Sequence, residues 1–488
     1  MQLAVRIIFL FSFVLTGASS FGLSGAPTIG YLPETFPQDP IAIHLYTEHL
    51  LVGQIIEPLV RIGSDGQIIG AVADSWKFAD DNKSLTFKIR NGIEFSDGRK
   101  VTAEDAIASL SRHVKNDKSQ SYSFLQVIQA IERKSETEIV IRLKTPYLPL
   151  LKSLTRDHLG IQPKDWHFDK SNSEPYIGTG PYRAVKEAGH WSLIANANYR
   201  GEVPIKRWEI LQWDLTQENL PKQLPDLAIY LTDLLRRKMQ STFPEAAVVS
   251  NFIPVPFFGQ NIFWWKGASR EAFDQEQLDT SRCYLHEMAT QMAQRTNSQL
   301  GIGMFPPGVL GSSFERSSPL QCEKVTVKAN LRIAIPKAMT KLLTESAQAL
   351  KIGNRYPGVQ VQLIPYGVDQ IGGVKKLDAD LVLMSYAGGF FDPEGYIAVV
   401  PSFLGNTTDT LLGQKSSAIR NRALVEPDPS KRADLYRSIN QTALNESRFF
   451  PGWLPSIWEF RKGLIKSGDA IVYSLRLENY TKSQGEGR

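Results

Sequence analysis

One stretch, Glu57 to Val114, restricts the fold more than any other part of the chain, because its hydrophobic period changes partway along. Ser64-Asp65-Gly66, Asp80-Asp81-Asn82, Asn91-Gly92 and Asp97-Gly98 are turn chemistry, supplying side chains that bond their own backbone or glycines that tolerate positive φ. Between them Leu85, Phe87 and Ile89 alternate with Thr86, Lys88 and Arg90, the period of a half-buried strand. After Asp97-Gly98 the period becomes helical. Thr102 can cap a first turn, Glu104 and Asp105 suit the positive end of the helix dipole, and Ala106, Ile107, Leu110 and Val114 form an apolar stripe. The expectation is a small antiparallel sheet followed by a helix.

The remaining chain is long enough for two or three domains with their own cores, at 488 residues and 42% hydrophobic content. A net charge of +5 is small for that length, and Lys and Arg are scattered, which disfavours nucleic acid as a partner. At the N-terminus Arg6 precedes an apolar run, Ile7 to Leu15, and the small residues Ala18-Ser19-Ser20. This is the pattern of a secretory signal peptide over residues 1–20, too short to span a bilayer, with a buried N-terminal element as the alternative. Cleavage there would remove one charged side chain, Arg6, and leave +4. The exit carries no cysteine for a lipid anchor, and no later run is long and apolar enough for a membrane helix. An exported chain meets an oxidising compartment, where Cys283 and Cys322 could pair; two unpaired buried thiols are the other reading.

Further along, Thr28–Tyr31 reads as a strand, Ile41–Ile56 as a helix after Asp39-Pro40, and Glu138–Leu143 as a strand. Gly178-Thr179-Gly180-Pro181-Tyr182 permits a tight backbone path but lacks the lysine and spacing of a phosphate loop. Residues 210–320 carry the weakest pattern. Val325–Ile335, Leu342–Ile352 and Val359–Leu363 read as strand, helix and strand, the signature of a parallel crossover in an α/β sheet. Asp428-Pro429 opens a helix that includes Arg432 and Tyr436, and Phe450-Pro451-Gly452-Trp453-Leu454-Pro455 follows it.

These motifs, in this order, resemble the extracellular solute-binding proteins of family 5, which include dipeptide-, oligopeptide- and nickel-binding proteins of ABC importers. The similarity rests on Glu57-Pro58-Leu59-Val60-Arg61 and the following stretch to Arg112, on the Gly178–Tyr182 turn with Asn196-Ala197-Asn198-Tyr199-Arg200-Gly201, and on the Asp428–Tyr436 helix. The resemblance implies an α/β, periplasmic binding protein-like fold (type II, cluster C), with two lobes, an extra small domain and a hinge. It places residues 21–58, 175–258 and 456–488 in the first lobe, 59–174 in the small domain and 259–455 in the second lobe. Pro254–Asn261 would be a crossing between lobes.

No catalytic constellation stands out. His44, His49, His113, His158, His167, His190 and His286 form no HExxH or H-x-H arrangement, and there is no G-x-S-x-G elbow or Walker loop. The informative segment is Ser385–Tyr396, which leaves a hydrophobic run through Gly388-Gly389 and presents Phe390 and Phe391 before Asp392-Pro393. Ligands of α/β sheets gather where strands end, so Tyr386, Gly388, Gly389, Phe390, Phe391 and Asp392 are candidate ligand contacts. A tight turn with core phenylalanines is the competing reading. Asn261, Trp264 and Trp265 are further candidates from the crossing. The family's peptide binders carry a G-W-x-x-D pattern here, whose aspartate holds the peptide α-ammonium. Tyr386 takes the tryptophan's place and Gly389 the aspartate's, so the resemblance implies a ligand without a free peptide N-terminus.

The expected function is therefore capture of a peptide or other small solute in a cleft and delivery to an ABC permease in the inner membrane. The expected setting is a monomer in the periplasm, with no cofactor, no metal and no enzymatic step. An exported hydrolase with paired carboxylates is one alternative, and a sensor or chaperone without a transporter is another.

Overall fold

The computed structural model describes residues 25–483 except 32–35, 44–45, 64–65, 120, 213–222, 244–245, 247–251, 256–258, 307–308, 313–321, 323–326, 353–354, 388–391, 398–399, 405 and 468–475. The expected signal peptide lies outside the described residues.

Three sheets carry the architecture. The first has seven strands in the order Phe252–Val255, Ile457–Arg461, Leu227–Thr232, Thr28–Tyr31, Arg207–Gln212, His190–Ala195 and Tyr182–Glu187. The second has four, ordered Ala73–Phe78, Ser84–Ile89, Glu138–Leu143 and Ile128–Arg133. The third has five, ordered Val359–Tyr366, Ala329–Pro336, Leu381–Ala387, Gly259–Trp265 and Phe449–Pro451. Chain order sets their relation. The four-stranded sheet is an excursion between two strands of the seven-stranded sheet. The five-stranded sheet is a second excursion, left after Val255 and re-entered before Ile457.

The four-stranded sheet and its helix match the local pattern of the sequence. Leu85, Phe87 and Ile89 point to one face and are buried there with Ile139 and Ile141 of the neighbouring strand. The helix Ala103–Val114 lays Ala106 and Leu110 on that face, with Ile107 and Val114 at its margin. The Asp105 carboxylate accepts from the Thr102 amide (2.8 Å) and hydroxyl (2.6 Å), closing the helix entry.

The stretch expected as one helix over 41–56 is shorter. Asp39 caps a single 3-10 turn, Pro40–Ala42, Ile43 is extended, and the α-helix runs only over Tyr46–Val52. It stops at Gly53, where a Cβ would sit 2.7 Å from the Asp157 carboxyl carbon. Residues 210–320, in turn, hold more regular structure than their pattern suggested. The strands Leu227–Thr232 and Gly259–Trp265 lie here, with the helix Gln275–Arg295, which Asp274 and Gln277 close at its N-terminus by a reciprocal pair of bonds.

In the five-stranded sheet Ala329–Pro336 and Val359–Tyr366 are parallel, joined by the helix Thr340–Ile352, as the crossover reading expected. Both faces are covered. Phe263, Trp265, Leu331, Ile333 and Ile335 face the helix Gln275–Arg295, while Ile262, Trp264 and Ala334 face the opposite layer with Tyr396 and Tyr436. Among the described residues no helix is long and apolar enough to cross a membrane. Cys283 and Cys322 form a disulfide, with Cα atoms 5.6 Å apart, on the helix side of this sheet.

Candidate functional site

The strand Leu381–Ala387 pairs antiparallel with Gly259–Trp265, setting Tyr386 opposite Gln260 and Ser385 opposite Asn261. The backbone of Tyr386 thus ends a central strand beside the crossing from the first sheet, as a ligand-facing position requires. Its side chain, and the whole of Gly388, Gly389, Phe390 and Phe391, lie outside the described residues.

The other three aromatic and amide candidates are placed differently from the expectation. Trp264 is fully buried against Phe449, their ring centroids 5.4 Å apart. Trp265 is buried on the opposite face between Phe273 and Phe450, and its indole N–H donates to Ser447 O at 2.9 Å. Asn261 is fully buried and donates to Trp453 O at 3.2 Å, while its carbonyl accepts from Gly452 N at 3.0 Å. The correction has a simple cause. Alternating side chains of a strand covered on both faces are all absorbed by packing. Asn261 ties the outgoing strand to the returning segment, and a Cβ on Gly452 would lie 2.5 Å from Asn261 O.

Asp392 is buried, and its carboxylate accepts from the Glu394 amide at 2.9 Å at the start of the helical turn Glu394–Ile397. Burial pushes the Asp392 carboxyl upward; Lys152 and the capping bond oppose that push. Glu394 is buried too, held by Arg420 through bonds of 2.5–3.1 Å, and accepts from the Tyr436 hydroxyl at 3.1 Å. This pair explains the Asp428–Tyr436 motif. Asp428 caps the helix by accepting from Ser430 and Lys431 amides, and the helix delivers Tyr436 to the Glu394 carboxylate.

The remaining motifs converge on a second buried carboxylate, and sequence spacing concealed this. Glu57 is fully buried; Arg200 grips it with bonds of 2.5 and 2.8 Å, and the Thr179 hydroxyl donates to it at 2.9 Å. Burial disfavours the Glu57 charge, but Arg200, with Arg476 and Thr179, outweighs burial and holds the carboxyl below its ordinary range. The glycines around Thr179 serve the same junction. A Cβ on Gly178 would lie 2.1 Å from Ile55 O, and one on Gly180 would lie 2.4 Å from Gln54 O. This constellation is structural. It locks the strand Tyr182–Glu187 to the entry of the small domain.

Three histidines also meet at that junction. The His49 and His158 rings lie 4.8 Å apart, and those of His113 and His158 lie 5.5 Å apart. Ser119 Oγ is 2.8 Å from His113 Nδ1, and Ser121 Oγ is 2.6 Å from His158 Nε2. Burial, with the Arg112 charge, pushes His113 down to about 3. Burial pushes the neighbouring Asp157 up to about 6 against the pull of Arg476 and Arg61. Among the described residues no group of three or more His, Cys, Asp or Glu is arranged to hold a metal ion. No sequence signal joins positions 49, 113 and 158; only the tertiary fold does.

Residues 67–217 match the family model described as bacterial extracellular solute-binding proteins, family 5 middle. The chain is 32% identical over 176 residues to the nickel-binding periplasmic protein of Escherichia coli strain K12, covering 34% of this chain and 33% of that protein. That match thus spans about a third of the relative's length. The oligopeptide-binding protein OppA of Bacillus subtilis strain 168 is 20% identical over a 537-residue alignment, covering 96% of this chain and 97% of that one. Among solved structures, the Escherichia coli murein tripeptide binding protein MppA superposes with a TM-score of 0.75 at 16% identity, covering 94% of this chain and 99% of that one. The unliganded open form of MppA gives 0.66 at 15% identity, covering 94% and 98%.

Proposed function

We propose, for a chain that belongs with the extracellular solute-binding proteins of family 5 and has their two-lobed α/β periplasmic binding protein fold, that it captures one small solute between its lobes and releases it unchanged. The first lobe comprises residues 21–58, 175–258 and 456–488, the small domain 59–174, and the second lobe 259–455. The observation that carries the reading is that the chain leaves the seven-stranded sheet after Val255 and re-enters it at Ile457, the residue paired with Val255, with the five-stranded sheet between. Two short adjacent connections let the second lobe swing as a body, and a swinging lobe encloses a ligand by hinge closure. The protein works in the periplasm after loss of residues 1–20, as a monomer, and passes its solute to an ABC permease in the inner membrane. It uses no cofactor and breaks no bond.

Relatives named for nickel, oligopeptide and murein tripeptide binding show how widely ligands vary on this fold. Here Gly389 stands where the resemblance places the aspartate that would pair with a peptide ammonium. Without that carboxylate a buried ammonium goes unpaired, which is costly. We infer a ligand with no free α-ammonium: a blocked peptide or a non-peptide solute.

Titration calorimetry with matched free and N-acetylated peptides and a panel of non-peptide solutes tests this. The expected result is one-to-one binding by a blocked or non-peptide solute and none by free peptides. Gly389→Asp is expected to gain at least about tenfold in affinity for free peptides, the scale of one charge-assisted hydrogen bond. Tight binding of free peptides by the unaltered protein would refute the ligand class.

A further inference from the structure

Three contacts converge on the segment Gly53–Glu57, where the first lobe meets the small domain. The Asp157 carboxyl lies against Gly53, so close that an added Cβ would come within 2.7 Å of its carbon. The Leu477 amide donates to the Gln54 side-chain oxygen at 3.0 Å, and the Gln54 side-chain amide donates to Leu50 O at 2.8 Å. Both Glu57 oxygens are engaged by Arg200, and one of them also by Thr179. The second contact pins the turn Leu477–Asn479, which the Asn479 amide closes onto Arg476 O at 3.1 Å. It thereby fixes the two charged residues on either side of Leu477, Arg476 and Glu478.

Arg476 is 7% exposed, yet its three guanidinium nitrogens are buried with no hydrogen-bond partner among the described residues. Arg61 Nε and Glu478 Oε2 are buried and unpartnered as well. Electrostatics couples the three: Glu478, Asp157 and Glu57 favour the Arg476 charge, while Arg61 and Arg476 oppose one another. A guanidinium removed from water without an acceptor is among the costliest groups to bury. The donors of two arginines beside an open carboxylate oxygen suit a guest that accepts from the first and donates to the second. Chloride and a bare carboxylate cannot donate. Water does both but brings no charge to offset two guanidiniums. A protonated oxyanion does both, and its oxygens match the guanidinium fork.

We propose that Arg476, with Arg61 and Glu478, forms a phosphate-binding site at the junction of the first lobe and the small domain. Arg476 and Arg61 donate to phosphate oxygens, and a phosphate O–H donates to Glu478. The phosphate is either a free anion or the monoester group of the captured solute. The second source rests on the capture reading above; the site itself does not.

Thermal unfolding at about pH 6 tests this, where Asp157, pushed up to about 6, is close to half neutral. Sodium phosphate or sodium acetate replaces sodium chloride at constant ionic strength. In protein refolded free of its solute, phosphate should raise the midpoint by about 2–4 °C at about 50 mM and then saturate. Acetate should raise it clearly less. Arg476→Met should lose the phosphate rise; Arg476→Lys, which keeps the charge without the fork, should weaken it and serves should the first variant not fold. No rise, a rise that climbs without saturating, an equal rise with acetate or an equal rise in either variant would overturn the site and leave water as the guest. Protein isolated gently with its solute separates the two sources. The same phosphate rise there assigns the site to a free anion; its loss there, with the rise kept after refolding, assigns the site to the solute's own phosphate. A protein that carries a solute but shows no phosphate rise in either form would sink the site alone. One that shows the rise but never carries a solute would sink the capture reading instead.

Discussion

Arg200→Met is expected to lower the unfolding free energy by about 3–5 kcal/mol, because it strands the Glu57 carboxylate in the interior. Glu57 is fully buried, and its two oxygens take both arms of the Arg200 guanidinium. Among the described residues the remaining donor in direct contact, the Thr179 hydroxyl, cannot replace a charge, and Arg476, whose charge also favours the ionised Glu57, makes no hydrogen bond to it. Most of the loss comes from the unpaired charge and not from the absent bonds. The double variant Arg200→Met with Glu57→Met should therefore regain a large part of it, since apolar groups of similar volume can replace a buried pair at little cost. Urea denaturation of the three proteins measures this. A loss below about 1 kcal/mol for Arg200→Met, the range of an exposed ion pair, would show that the site is wetter than the structure has it.

Removing the disulfide is the second large effect. Cys283 and Cys322 close a loop with a sequence separation of 39. On the chain-entropy estimate such a loop contributes about 4 kcal/mol by restricting the unfolded ensemble. Cys283 belongs to the helix Gln275–Arg295, which packs on the five-stranded sheet, so the cost falls on the second lobe. Scanning calorimetry of the Cys283→Ser, Cys322→Ser protein should show the second-lobe transition moved to lower temperature and the first-lobe transition unmoved. A single unshifted profile would mean that the thiols meet without stabilising the lobe.

Local chemistry was legible where a short stretch determines its own structure. The alternation of Leu85, Phe87 and Ile89, the entry at Thr102 and Asp105, and the Asp428-Pro429 cap all appear in the fold as the sequence suggests. One helix differs from its local pattern because its end depends on a distant partner. The helix expected over 41–56 contracts to Tyr46–Val52, since Gly53 abuts Asp157, a residue over a hundred positions away. The helix Gln275–Arg295 was obscured by its scattered polar residues, although Asp274 and Gln277 mark its start.

Of the candidate positions, the strand that carries Tyr386 was legible in the sequence, and the packing of Trp264 and Trp265 was not. Tyr386 does end a central strand, but nothing in an alternating strand tells which face meets a ligand and which meets a core. Trp264 and Trp265 therefore passed for ligand contacts while both belong to packing. The Glu57–Arg200–Thr179 constellation shows the converse. Its members were already visible as motifs, but only folding brings residues 143 apart in sequence into one ion pair.

Native mass spectrometry of protein isolated gently from its own cells tests the capture of a solute most directly. The account predicts one small molecule per chain, released on unfolding and rebound by refolded protein with its mass unaltered. A chain that rebinds nothing from that pool, or that returns the molecule as a product of different mass, would contradict it.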